Sequence, residues 1–129
     1  MTTTDMLLPE NAVEIVRGTS KTLELTIYDD DLEKPEPVDI TGATLIFTVK
    51  HRVEDAVPLI QKKSTDSAQI VLIAPREGRA RIYLVPADTQ NLEPKPYVFD
   101  VWLILTGKRY AVVAPSIFEV HAGVTLLPL

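Results

Sequence analysis

The feature that most limits the folds open to this chain is an apolar residue at every second position, repeated in many short runs. In 21–29, KTLELTIYD, Leu23, Leu25 and Ile27 fall on one face and Glu24, Thr26 and Tyr28 on the other. That period of two belongs to a half-buried strand, whereas a helix would repeat its apolar residues every three to four positions. The run 43–50, ATLIFTVK, does the same, with Leu45, Phe47 and Val49 inward and Thr44, Ile46, Thr48 and Lys50 outward. Further strands are expected at 12–16, 58–63, 68–73, 79–85, 97–105, 109–114 and 116–122. No segment shows a convincing amphipathic helical period. Short strands at this spacing predict an all-β antiparallel sandwich or barrel.

The residues between the runs agree. The segment 29–37, DDDLEKPEP, has charge and proline without periodicity and reads as a loop. TGKR at 106–109 joins two strand-like runs through a glycine and predicts a hairpin, and PREG at 75–78 predicts another turn. Pro86 and Asp88 in PADTQNL, 86–92, predict a single helical turn across one end of the sandwich. No repeat, low-complexity tract or linker divides the chain. One domain over 12–122 is expected, with an N-terminal arm at 1–11 and an apolar tail at 123–129.

Composition excludes several functional classes. At 129 residues the chain is large enough to bury a core, and with no cysteine it has neither disulfides nor thiolate metal sites. The charge is −5, from 13 Lys and Arg against 18 Asp and Glu, and the basic residues are scattered, which argues against nucleic acid as a partner. No apolar run reaches the roughly 18–20 residues that span a bilayer, and MTTTDMLLPENA lacks the features of a signal peptide. A protein made and kept in the cytoplasm, or delivered by lysis, without membrane association, is the expectation.

The residues that carry chemistry in other proteins are not assembled into motifs. His51 and His121 are separated by most of the domain, and neither stands beside a nucleophile motif. No G-x-S-x-G, H-E-x-x-H or Walker sequence occurs, and TGKR lacks the glycine spacing that cradles phosphate. Asp29, Asp30 and Asp31 could attract calcium, which takes about 6–8 oxygen ligands. They lack the D-x-D-x-D-G order of a dedicated loop, so they read as a solvated turn. Lys62 and Lys63, and Arg76, Arg79 and Arg81, read as solubilising surface. The sequence therefore predicts a non-enzyme with no catalytic, cofactor-binding or metal-ligating residues.

Four pieces in order carry a family resemblance: RGTSKTLELTIYDDD (17–31), PVDITGATLIFTVK (37–50), REGRARIYLVPADTQNL (76–92) and YVFDVWLILTGKRY (97–110). Together they resemble the immunoglobulin-like domain at the N-terminus of phage baseplate upper proteins and of related tail and virion structural proteins. The likeness covers about residues 15–122. It implies an immunoglobulin-like β-sandwich and a structural part in a tailed-phage virion, in the baseplate or tail-fibre attachment region. Little sequence follows the domain, where baseplate upper proteins continue into an adaptor. Within this frame Gly18 and Gly42 read as turn glycines. Asp39, Thr41, Asp88 and Thr89 read as side chains that close turns by bonding local backbone.

One strand poses a further question. In VFDVWLIL, 98–105, apolar residues occupy both faces. If Tyr97, Phe99, Val101 and Leu103 face the core, Val98, Asp100, Trp102 and Ile104 line the outside, joined across the hairpin by Val112 or Val113. An apolar exterior that includes tryptophan predicts a protein interface. The chain's own apolar ends, MLLPENA (6–12) and VTLLPL (124–129), are the alternative cover. Leu126, Leu127 and Leu129 are expected to dock on a neighbour or on this domain, and Pro128 limits any strand they add. The expected partners are other virion proteins and copies of this chain. A capsid-decorating or cementing protein is the competing structural reading. A carbohydrate-binding adsorption module using Trp102 competes from another class.

Overall fold

The computed structural model describes residues 2–4, 12–29, 33–34 and 36–125. Among them, ten strands form two sheets packed face to face. The strands are β1 (Thr2–Thr4), β2 (Val13–Val16), β3 (Lys21–Asp29), β4 (Glu36–Pro37), β5 (Thr44–Lys50), β6 (Ile60–Lys63), β7 (Ile70–Ala74), β8 (Arg79–Leu84), β9 (Pro96–Leu105) and β10 (Lys108–His121). A 3₁₀ turn (Pro75–Glu77) precedes β8, and a one-turn helix α1 (Pro86–Thr89) joins β8 to β9.

The first sheet runs β1-β3-β8-β7, with β4 on the end of β3, and the second runs β2-β10-β9-β5-β6. All pairs are antiparallel except β2, which lies parallel to β10. This is the immunoglobulin arrangement: β3, β8 and β7 stand as strands B, E and D, while β10, β9, β5 and β6 stand as G, F, C and C′. The expected all-β sandwich with a helical turn near 86–92 is therefore the fold. Thr2–Thr4, within the segment read as an arm, pair with Thr26–Tyr28 of β3. The acidic residues Asp30 and Asp31 and the tail leucines Leu126, Leu127 and Leu129 lie outside the described residues.

The period of two translates directly into the core. Leu23, Leu25 and Ile27 of β3, Leu45, Phe47 and Val49 of β5, and Phe99, Val101 and Leu103 of β9 are all at most 2% exposed. Immunoglobulin domains of antibodies place a disulfide between B and F against a buried tryptophan. Here that centre is hydrocarbon. Phe47 packs on Phe99 and Phe118 with ring centroids 5.5 and 6.2 Å apart, and Phe99 meets Phe118 edge-on at 6.3 Å. Each such ring pair adds about 0.5–1.5 kcal/mol beyond area burial, which lets the sandwich hold without a covalent staple.

Side-chain bonds fix the end of the sandwich where the chain crosses between sheets. At the start of β9, the Tyr97 hydroxyl donates to the Glu93 carbonyl at 2.7 Å, two residues before Phe99. That is the tyrosine corner of the immunoglobulin fold. In α1, the Asp88 carboxylate accepts from the Val85 amide at 2.8 Å, and the Thr89 hydroxyl accepts from the Gly18 amide at 2.8 Å. The Asp39 carboxylate accepts from the Thr41 amide at 2.9 Å in the turn that leads to Gly42. Asp39 and Asp88 thus bond local backbone as the sequence suggests, whereas the Thr41 hydroxyl donates to the Asp39 carboxylate and Thr89 reaches the backbone of Gly18, distant in sequence.

Three expectations need correction. Lys62 is not surface: it takes an inward position of β6, is 7% exposed and pairs with Asp88 at 2.9 Å. The bridge joins the edge of the second sheet to α1. Residues 109–114 and 116–122 are not separate strands but one strand, β10, with register shifts at Ala111/Val113 and Val113/Ser116. Each shift inserts one extra residue, so the face assignment slips within the strand. As a result Val112 and Val113 are both buried, at 2% and 0% exposure, and neither joins the exterior.

Candidate functional site

The strand that posed the question supplies the site. β9 lies between β10 and β5, so its outward residues stand at the middle of the second sheet. Tyr97, Phe99, Val101 and Leu103 point inward, leaving Val98, Asp100, Trp102 and Ile104 outside as expected. Val98 and Ile104 are half-buried, and Trp102 is 40% exposed. Register places Ile46 and Ala111 on either side of Trp102, Thr48 beside Asp100, and Lys50 and Ile117 on either side of Val98. Ile117, 52% exposed, thereby continues the apolar exterior in place of Val112 and Val113.

The connection from β5 to β6 borders this face. Val53, Ala56 and Pro58 stand over the outer ends of the strands and, with β5, β6 and β9, enclose a groove of about 350 Å³. Trp102, Asp100, Thr48, Lys50 and Gln61 line it. The indole Nε1–H of Trp102 donates to Asp100 Oδ2 at 3.1 Å, a bond between next-but-one residues on the same face of one strand. The Gln61 amide donates to the Thr48 hydroxyl at 3.3 Å. Burial against the apolar groove pushes the Asp100 carboxyl above its ordinary pKa, opposed by the Trp102 hydrogen bond and the Lys50 charge. The groove thus joins one aromatic face to a carboxylate, an ammonium, an amide and a hydroxyl.

The remaining titratable groups fall into small surface contacts. His51 Nε2 lies 2.9 Å from Lys95 Nζ, and His121 Nε2 lies 3.9 Å from Glu14 Oε1. Glu14, Glu119 and His121 bring ligand atoms within 4.8 Å of one another on β2 and β10, with Glu14 and His121 exposed. Their proximity follows from parallel pairing, which sets Glu14 opposite Glu119. Arg81 pairs with Glu24 at 2.7 Å and Arg79 approaches Glu77 at 4.0 Å, so these arginines face acidic neighbours on the first sheet. Among the described residues no helix is long and apolar enough to cross a membrane.

Alternation alone identified Trp102 and its outward neighbours. It did not reveal the groove, because 51–58 has no periodicity and its path depends on tertiary contacts. Fold and site together define a two-layer immunoglobulin-like β-sandwich with a lined groove on its G-F-C-C′ face. No family model matches the chain, and no curated protein matches it.

Proposed function

We propose that this chain is a non-enzymatic structural component of a tailed-phage virion, held by protein–protein contacts in the baseplate or tail-fibre attachment region. The observation that carries the reading is the apolar strip on a sandwich whose core is already closed. Val98, Ile104 and Ile117 continue outward across β9 and β10 while Phe47, Phe99 and Phe118 complete the interior. Contact with a neighbour removes from water the part of this strip that the domain leaves exposed. The resemblance carried by the ordered motifs at 17–31, 37–50, 76–92 and 97–110 supports the virion setting. In a symmetric particle, individually weak contacts repeated by symmetry suffice to hold each copy.

The test is incorporation. Particles assembled with Ile117→Asp are expected to lack the chain, while the purified variant melts within a few degrees of wild type, because residue 117 is solvent-facing. Normal incorporation of the folded variant would remove this surface as the point of attachment.

A further inference from the structure

The groove beside Trp102 shares Val98 with the apolar strip but adds a ring of polar side chains, and its chemistry reaches beyond the assembly reading. Its one outward-facing aromatic ring, Trp102, is held in place by the Nε1–H bond to Asp100, so the donor on its edge is already engaged and its exposed surface is hydrocarbon. Around that surface stand Asp100, an acceptor with more than one lone pair, and Lys50, a donor with no acceptor capacity. Thr48 and Gln61 each both give and accept. A ligand that satisfies this set needs one apolar face and a rim of groups that are donors and acceptors at once.

A sugar ring has that construction: axial C–H bonds on a face and hydroxyls around the edge. One carboxylate and one ammonium border the groove, so a neutral ligand leaves neither charge in excess. A phosphate backbone would meet the Asp100 carboxylate, and the chain as a whole carries −5. The groove's volume of about 350 Å³ suits a small ligand rather than the flat surface of a folded protein. We infer that the groove around Trp102 binds a neutral glycan, one ring stacked on the indole and its hydroxyls bonded by Asp100, Lys50, Thr48 and Gln61.

Trp102 is the only tryptophan, so its fluorescence reports on this groove alone. The full chain is applied to an array of neutral oligosaccharides from bacterial surface polysaccharides, and those retained are titrated while tryptophan emission is followed. At least one is expected to bind and to shift the emission. Trp102→Ala should abolish retention, Trp102→Phe should keep part of it, and Asp100→Asn should weaken it at least about tenfold by removing a charged acceptor. Both positions face outward, and thermal melting checks that the three variants fold. An array without retained sugars, or retention that survives Trp102→Ala, overturns the inference. The virion reading is independent and rests on incorporation.

Discussion

Gly78 offers the sharpest test of how the first sheet is closed. It follows the 3₁₀ turn at φ 68, in the left-handed region, and an added Cβ would lie 2.6 Å from the Ile27 carbonyl oxygen and 2.8 Å from that of Val38. Both are backbone atoms. They belong to a ladder in which the Ile27 amide donates to Gly78 O at 2.9 Å and the Val38 amide donates to Ile27 O at 2.9 Å. Gly42 serves as the control, since it has φ 81 but no atom within 4 Å of an added Cβ. Gly42→Ala should therefore cost only the left-handed penalty, about 1–2 kcal/mol. Gly78→Ala carries the same penalty and must also displace a buried backbone segment, at about 1–3 kcal/mol for an unmade buried hydrogen bond, giving about 2–5 kcal/mol in all. For a domain of this size that corresponds to a fall in Tm of about 4–8 °C for Gly42→Ala and about 8–20 °C for Gly78→Ala. Urea titration of both variants, with unchanged m-values, gives the comparison. Equal losses in the two would show that β3, β4 and β8 do not meet as described.

Other substitutions test the sandwich and its outer face. Tyr97→Phe removes the hydroxyl bond to Glu93 and should cost about 1 kcal/mol by urea unfolding. Lys62→Ala leaves the Asp88 carboxylate without its cation at a nearly enclosed site; a loss of about 2–4 kcal/mol is expected, less than for complete burial because both side chains keep some water contact. Asp100, whose pKa is raised in the folded chain, binds its proton more tightly folded than unfolded, so its contribution to stability falls as pH rises through the window above 3.8. Asp100→Asn should accordingly gain stability relative to wild type at neutral pH and lose that gain below the unfolded value, measured by melting across pH. An advantage independent of pH would contradict the burial of that carboxylate.

The parts of the fold visible in the sequence are those in which each residue's face follows from its neighbours. Leu23, Leu25 and Ile27, or Phe99, Val101 and Leu103, announce the core by alternation, and the same rule sends Val98, Trp102 and Ile104 outside. The hairpin was visible too, since Thr106 and Gly107 take φ 49 and 78, the doubly left-handed turn whose twist suits two antiparallel strands. Alternation fails where a bulge intervenes. In AVVAPS, 111–116, nothing local shows that Val112 and Val113 both turn inward, and Ile117 takes the outward place through a register slip. The burial of Lys62 is not legible locally because its partner, Asp88, is distant in sequence and only the fold brings them together. Nothing local marks Thr48, Lys50, Gln61 and Asp100 as neighbours, and their convergence around one indole depends on the path of 51–58.

The central claim concerns where this chain works, and its distribution in purified particles tests that most directly. Heads and tails are separated and the chain is quantified in each. The account predicts few copies, confined to the tail fraction with the baseplate. Many copies in the head fraction would replace attachment at the baseplate with decoration of the capsid. Absence from both fractions would contradict the virion assignment itself.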